Sequence, residues 1–345
     1  MPKTNPKILI DIKHPAQLNL FKHLAESLKN KGWEVTVCYL QRGKLPQIIA
    51  REYAGFHTLP VGSSKGTKWS ILWQGNVQRV SSFLKLIRKN HYDICVAASS
   101  APLALACRLS GTPVIQFYDD PERQRINAIN ARLSDRIFFP PIVEESEKVG
   151  IFNCLKEWSY LSPARFTPDP SVTDAYGLAP YSYVFVREVS NQSFNYYDQK
   201  ADIVGSFAAK IPADVPVLLS LEDKAKAHLY PEHWVQLQEP VGDIHSLMFH
   251  ARLVLSSGDS MAREGAMLGT PSIYCGVREM RANAYLMQEG GPLSQHPEEA
   301  ALEPVRQAIS RPVDKQKQQE VRQDLLAKWD DMIAFMEEKI NHYKK

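Results

Sequence analysis

The sequence predicts an α/β protein of two similar halves, each a doubly wound parallel sheet with helices on both faces. Three observations carry this. Short, nearly continuous apolar runs alternate with helical patterns, the order that builds a buried parallel sheet. A frame of strand, serine, helix, Gly-Thr-Pro and strand occurs twice, at Ser99 to Pro113 and at Ser257 to Pro271, with an offset of 158 residues. Between the copies, Leu161-Ser162-Pro163-Ala164-Arg165-Phe166-Thr167-Pro168-Asp169-Pro170 holds three prolines in ten residues and predicts a linker.

In chain order, Lys7 to Ile12 is a strand, followed by Leu18, Phe21, Leu24, Ala25 and Leu28 at helical spacing, with Gly32 just past the helix end. Glu34 to Leu40 is the next strand. Strands near Phe56–Val61, Asp93–Ala98, Val114–Tyr118 and Arg136–Phe139 alternate with helical segments. After the linker, Tyr183 to Arg187, Val215 to Ser220, Arg252 to Leu255 and Ser272 to Cys275 predict the strands of the second set. From Pro312 onward the chain is charged and helical, with Val321, Leu325, Trp329, Ile333, Met336 and Ile340 as one apolar stripe that packs on a domain. The expected division is an N-terminal domain at 1–162, a linker at 163–180, a C-terminal domain at 181–311 and a terminal helix at 312–345.

At 345 residues the chain is long enough for two domains with separate cores. No apolar run approaches the roughly 20 residues of a membrane span, and the N-terminus leads directly into a strand, so no signal peptide is expected. Five scattered cysteines predict buried thiols in a reducing cytosol, and no Cys-x-x-Cys metal spacing occurs. The net charge of +3 is unevenly shared: residues 1–160 hold 22 Lys/Arg against 13 Asp/Glu, and the remainder 19 against 25. A basic first half suits a phosphorylated acceptor or an anionic membrane leaflet, or is simply a set of solvated helix faces such as Lys85, Arg88 and Lys89. Long basic stretches interleaved with aromatics are missing, which disfavours nucleic acid.

The chemistry concentrates in Ser256-Ser257-Gly258-Asp259-Ser260-Met261-Ala262-Arg263-Glu264. A strand feeding a glycine turn and a helix N-terminus aims backbone N–H groups and the positive dipole end at one spot, a seat for phosphate. Asp259 or Ser260 is expected to cap the helix, and Glu264 lies one turn beyond Ser260 on the same face. In the earlier copy, Asp259 aligns with Ala101 and Glu264 with Ala106, so the second copy alone has this polar equipment.

Other candidates sit at strand ends, where open α/β sheets bind ligands. His14 follows the first strand and precedes Pro15, at a helix N-terminal edge where the dipole disfavours the charged ring; a neutral histidine is what a general base needs. A loop histidine satisfied by backbone is the alternative. Asp119 binds metal or acceptor hydroxyls, or neither; Asp120 before Pro121 suits a helix start. Ser63-Ser64-Lys65-Gly66 is an anion-contacting loop or plain surface polarity. Arg187 suits a diphosphate, which a guanidinium grips bidentately. Asp243 is expected to cap the helix that carries His245, itself read as a packing residue.

Ile10-Asp11-Ile12-Lys13-His14-Pro15-Ala16, the segment Arg165 to Pro170, and Gly258-Asp259-Ser260-Met261 with Glu264 and Gly269-Thr270-Pro271 together resemble the domain of unknown function family 354. That family belongs with GT-B glycosyltransferases and non-hydrolysing UDP-GlcNAc 2-epimerases. The resemblance implies two Rossmann-like domains facing a cleft, with a C-terminal helix returning to the first. It implies a nucleotide-sugar, with a UDP-sugar as the expected donor, on the second domain at Arg187, Gly258, Asp259, Ser260, Met261 and Glu264, with Glu264 on the ribose. His14 becomes the base, Asp119 a further catalytic candidate, and neither metal nor cofactor is required. Similar sequences carry Trp-Asn-Ala and His-Asp after the arginine, where this chain has Ser190-Asn191-Gln192-Ser193-Phe194-Asn195, and usually alanine where it has Gly265. The expected function is a cytoplasmic sugar transferase of surface polysaccharide or glycoconjugate assembly, acting on a glycan, lipid or small-molecule acceptor. A UDP-sugar 2-epimerase, with Asp11, Asp119 and Glu222 as its carboxylates, and a catalytically silent nucleotide-sugar-binding protein are the alternatives.

Overall fold

Parallel strands set the architecture of the computed structural model, which describes residues 5–63, 77–190, 199–238 and 241–343. The chain divides into two compact units. Unit 1 is Met1–Tyr160 with Trp329–Lys345, and unit 2 is Leu161–Lys328.

Unit 1 holds strands β1 (Lys7–Ile12), β2 (Glu34–Gln41), β3 (His57–Ser63), β4 (Ile94–Ala97), β5 (Val114–Phe117), β6 (Arg136–Phe139) and β7 (Val149–Ile151). They form one parallel sheet in the order β3-β2-β1-β4-β5-β6-β7. The helices are α1 (Pro15–Asn30), α2 (Leu45–Glu52), α3 (Gln78–Asn90), α4 (Ala101–Ser110), α5 (Gln124–Leu133) and the short α6 (Trp158–Leu161), which straddles the unit boundary. The chain winds leftward from β1 to β3, then crosses back and winds rightward from β4. Right-handed crossovers therefore put α1 and α2 on one face and α3, α4 and α5 on the other. The second of these faces closes a core of Phe83, Ile87, Cys95, Leu103, Cys107 and Val114.

Unit 2 holds β8 (Val184–Glu188), β9 (Val217–Leu221), β10 (Val235–Gln236), β11 (Leu253–Ser256), β12 (Ser272–Tyr274) and β13 (Leu293–Gln295), in the order β10-β9-β8-β11-β12-β13. Its helices are α7 (Ile244–Phe249), α8 (Asp259–Met267), α9 (Arg281–Gln288), α10 (Leu302–Ser310) and α11 (Lys315–Lys328). The core gathers Val184, Val186, Leu219, Leu253, Leu255 and Ile273, alternate residues on one face of the strands, with Phe207 packed against them.

The proline-rich segment falls in unit 2, where it leads into a 3-10 helix, Pro170–Tyr176, capped by Asp169 accepting from the Ser171 N–H at 2.9 Å. Residues 312–345, expected as one helix, form two. Asp331 starts α12 (Met332–Asn341) by accepting from the Ile333 and Ala334 N–H groups, and the Asp330 N–H donates to the Asn153 carbonyl at 3.1 Å. The apolar stripe is buried throughout, but Val321 and Leu325 belong to unit 2, while Trp329, Ile333, Met336 and Ile340 belong to unit 1. There α12 packs on α1, and Glu337 accepts from Ser27 and Lys31 at 2.6 Å each. The three strands that periodicity does not reveal, β7, β10 and β13, are two or three residues long and lie at sheet edges. All five cysteines are buried and unbridged.

Candidate functional site

In unit 2 the winding direction reverses between β8 and β11, and the crevice beyond the carboxyl ends of such neighbours is where open α/β sheets take ligands. The turn from β11 into α8 lies there, bolted in place. Ser256 Oγ donates to the Gly258 carbonyl at 2.7 Å and accepts from its N–H at 3.1 Å. Ser257 Oγ accepts from the Val189 N–H at 2.9 Å, and its own N–H reaches the Arg187 carbonyl at 3.0 Å. Gln199 Nε2 donates to the Ser257 carbonyl at 3.0 Å. Five hydrogen bonds thus fix where α8 begins.

Gly258 is the N-cap residue, in extended backbone, and no side chain caps the helix. The expected capping by Asp259 or Ser260 is overturned. Asp259 is buried and turned back along the helix to Arg263, whose guanidinium is fully buried and lies 3.1 Å from the carboxylate and 3.0 Å from Asn283 Oδ1. A buried guanidinium attracts the carboxylate more strongly than a helix N-terminus does, because it carries a full charge. The first-turn N–H groups of α8 are therefore left by the side chains, which is the requirement for an anion seat. Arg263 was missed in the sequence, although its i,i+4 spacing from Asp259 is a readable signal.

Ser260 and Met261 are half-buried in the first turn. Glu264, one turn on, is buried, with His245 Nε2 3.6 Å from its Oε2. His245, read as a packing residue, stands edge-on to Phe166 and beside this carboxylate, on the helix that Asp243 caps at the Ser246 N–H, 2.9 Å away. Gly265 is not a mere weakening of α8: a Cβ there would lie 2.6 Å from Ser272 Oγ and 2.9 Å from Val254 Cγ2, so glycine lets the helix settle on the sheet.

Arg187 ends β8, half-buried, its Nη1 donating to Ser220 Oγ at 3.0 Å and its Nη2 3.6 Å from Glu222 Oε2. Next to it, burial pushes the Glu188 carboxyl up, while hydrogen bonds from Ser257, Tyr230, Val204 and Gly205 pull the other way. Residues 191–195, where the chain departs from similar sequences, lie outside the described residues, as do Ser64, Lys65 and Gly66.

Unit 1 has its own reversal, between β1 and β4. Asp11, at the end of β1, is fully buried, ion-paired with the buried Arg79 and accepting from Ser100 Oγ at 2.6 Å. Lys13 Nζ donates to the Ser99 carbonyl, and Gln17 spans from the Lys13 N–H to the Ala98 carbonyl at 2.8 Å each. Burial lowers the Lys13 pKa to about 8, against the attraction of Asp11 and with repulsion from Arg79 and Arg123.

His14 is the N-cap of α1, its Nδ1 accepting from the Ala16 N–H at 3.3 Å. Its pKa is lowered to about 4 by burial first, and then by Arg42, Lys156, Arg123 and Lys13. The ring surface still meets solvent, so desolvation is partial and the direction is what matters: the ring is neutral at pH 7. The expected neutrality thus rests on surrounding protein and cations as well as on the helix end. While Nδ1 accepts from Ala16, the proton of the neutral ring sits on Nε2. His14 takes up a proton only when Nδ1 lets Ala16 go, a long bond worth on the order of 1 kcal/mol or less.

Asp119 is ion-paired with Lys156. Asp120 does not start the helix; it pairs with Arg123 at 3.0 Å, and α5 begins only at Gln124. Of the carboxylates that an epimerase would use, Asp11 is sealed in unit 1, Asp119 is paired with Lys156, and Glu222 in unit 2 lies beside Arg187. Among the described residues no His, Cys, Asp and Glu cluster could hold a metal ion.

Two parallel-sheet α/β units define the fold class as GT-B, and the solved structures agree over nearly the whole chain. The glycosyltransferase VinC in complex with dTDP matches at a TM-score of 0.66 and 13% identity, covering 98% of this chain and 99% of that one. The glycosyltransferase SsfS6 of Streptomyces sp. SF2575, complexed with thymidine diphosphate, matches at 0.66 and 13%, covering 97% and 100%. UDP-N-acetylglucosamine 2-epimerase from Rickettsia bellii matches at 0.67 and 14%, covering 98% of each. The family described as "Protein of unknown function (DUF354)" matches residues 181–345, which bears out the family resemblance; of its motifs, the match includes the one from Gly258 to Pro271, while Ile10 to Ala16 and Arg165 to Pro170 lie before it. An uncharacterized protein of Methanocaldococcus jannaschii is 21% identical over 301 residues, 83% of this chain and 86% of that protein.

Proposed function

We propose that the chain is a glycosyltransferase that moves a sugar from a nucleotide-sugar to an acceptor hydroxyl. The observation that carries the reading is the α8 start. It is a rigid helix N-terminus without a side-chain cap, at the strand reversal of unit 2, with the buried Glu264 one turn along. Its support is the shared fold with two glycosyltransferases solved with dTDP bound.

In this reading the diphosphate lies against the first-turn N–H groups at Gly258, Asp259, Ser260 and Met261, and Glu264 accepts from the ribose hydroxyls. As the bond between the anomeric carbon and the phosphate oxygen breaks, the negative charge gathering on the diphosphate is met by α8 and by Arg187. The acceptor oxygen forms the new bond to that carbon and gives its proton to His14 Nδ1. The acid-paired Asp119 holds Lys156 near that histidine rather than acting on substrate. Acceptor and donor sugar would belong to glycoconjugate assembly, with a UDP-sugar as the first donor to test.

The test is a thermal-shift screen of UDP-, dTDP-, GDP- and CMP-sugars, followed by nucleoside diphosphate release. Stabilisation by at least one donor is expected, and none at all sinks the reading. Glu264→Ala should weaken the donor about tenfold or more, the cost of leaving ribose hydroxyls unpaired. Interconversion of two UDP-sugars without diphosphate release would make the chain an epimerase instead. Binding without turnover would make it a nucleotide-sugar-binding protein.

A further inference from the structure

Helix α5 turns Leu133 and Ala131 to the core, yet leaves two of its aliphatic residues outside. Its one fully buried residue is Asn130, whose Oδ1 faces Gln116 Nε2 at 3.4 Å, while Ile126 and Ile129 are exposed, the latter at 48%. Helices that only cover a core do the reverse. Beside it, α4 buries Leu103, Ala104 and Cys107 and exposes Leu105 and Leu109, the latter at 55%. The four aliphatic side chains lie one helical turn apart within each helix, and the two helices pack together. Soluble surfaces scatter single apolar residues; two exposed aliphatic pairs on helices that pack together go beyond that scatter.

The charge on this face is as one-sided as its apolarity. Arg108 on α4 and Arg125 and Arg132 on α5 are exposed, and so are Lys85, Arg88 and Lys89 on the adjoining α3. Across α3, α4 and α5 there is no Asp or Glu. The carboxylates nearest in sequence are Asp93 after α3 and Asp120, Glu122 and Asp135 at the two ends of α5; Asp93 accepts from the Lys7 N–H and Asp135 from the Val114 N–H at 2.7 Å each, and Asp120 pairs with Arg123.

We propose that the α4–α5 face of unit 1 docks on an anionic lipid bilayer, with Leu105, Leu109, Ile126 and Ile129 entering the acyl boundary. Arg108, Arg125 and Arg132 then meet lipid phosphates, and the α3 cations add long-range attraction. The combination selects a bilayer. Exposed aliphatics with no aromatic among them favour acyl chains over stacked bases, and three helices that carry cations and no carboxylate match an anionic leaflet. Among the described residues no helix is long and apolar enough to span a membrane, so this is contact with one leaflet. The inference is independent of what unit 2 binds.

The full chain is sedimented with vesicles of phosphatidylcholine alone and with vesicles of equal phosphatidylglycerol and phosphatidylcholine. Binding only to the anionic vesicles is expected. The double variant Leu109→Ser, Ile129→Ser should weaken it about tenfold or more, and each of Arg108→Ser, Arg125→Ser and Arg132→Ser about fivefold. All these positions are exposed, and unchanged circular dichroism and melting show that the variants fold. Raised salt should weaken the wild type far more than the triple arginine variant. Absence of binding to the anionic vesicles overturns the proposal, as does binding that the Leu109/Ile129 variant retains in full. A dimer that this variant disrupts, without any vesicle binding, assigns the face to a second copy and overturns it equally.

Discussion

The β4–α4 turn of unit 1 and the β11–α8 turn of unit 2 are the same device with different charged side chains around it. Both follow the first strand after a reversal, both start a helix after a serine, and both end at Gly-Thr-Pro with the glycine left-handed, φ +70° at Gly111 and +77° at Gly269. In unit 1 the positive helix end is met from within: Ser100 Oγ donates to Asp11, the Ser100 N–H donates to Gln116 Oε1 at 2.6 Å, and Pro102 stands in the first turn. Neither helix end has a side-chain cap; in unit 2 the first-turn carboxylate turns back to Arg263, whereas in unit 1 the carboxylate of Asp11 stands before the helix. The difference teaches that a repeated fold element keeps its packing while one or two charged side chains change the surroundings of its helix end. The Asp11–Arg79 pair stands beside one copy, and the Asp259–Arg263 pair lies along the other.

The comparison is broken most severely at its buried guanidinium groups. Removing Arg263 as Arg263→Met leaves Asp259 buried and uncompensated, and removing Arg79 as Arg79→Met does the same to Asp11. Each should cost about 3–5 kcal/mol by denaturant titration. The Arg263 variant should in addition lose donor stabilisation, because a released Asp259 competes for the α8 N–H groups. If the two variants melt like the wild type, the partners are not the ones described.

The two left-handed glycines separate the copies next. Gly111→Ala meets nothing within 4 Å and should cost only the left-handed backbone, about 1–2 kcal/mol. Gly269→Ala brings a Cβ within 2.3 Å of the Gln318 carbonyl on α11, a backbone atom, and should cost about 3 kcal/mol or more. Equal losses would mean that α11 moves aside freely.

His14 gives the smallest effects on stability and the sharpest test of chemistry. Asparagine caps a helix as well as any residue, so His14→Asn should keep the melting temperature and donor binding while abolishing diphosphate release. Undiminished release removes His14 as the base. The folded ring titrates near 4 against 6.5 for the ordinary ring. Its protonation therefore opposes folding between those values: the contribution is complete above pH 6.5 and is lost as pH falls toward 4. Imidazole resonances followed by NMR should show this midpoint well below 6, and a midpoint at 6.5 would show that the neighbouring cations do not act on the ring.

The strands with four or more residues were legible because apolar runs of that length leave a pattern; the three-residue β12 was legible through the Gly-Thr-Pro stop before it, whereas β7, β10 and β13 are as short or shorter and were not read from such a signal. The single helix expected at 312–345 kept its apolar period across the break at Trp329 to Asp331. Periodicity reports which residues are buried and not against what, and it continued while the stripe passed from unit 2 to unit 1. Capping expectations succeeded at Asp243 and failed at Asp259 and Asp120, and the failures share a cause. Each of those carboxylates has an arginine three or four residues on that outbids the helix N–H groups.

By itself the sequence determined the alternation of strands and helices, the repeat and its Gly-Thr-Pro stops, the place of Glu264 on α8, and the position of His14 after β1. These follow from local patterns of burial, backbone freedom and helical spacing. Only the tertiary structure decided the order of strands, and with it which turns stand at a reversal. It also paired Asp11 with Arg79 and Arg263 with Asn283, and left Ile126 and Ile129 outside while Asn130 went in. Partners such as Asp11 with Arg79, or Arg263 with Asn283, meet through space across separations that no periodicity encodes, and those partnerships set what surrounds each of the two matching helix ends.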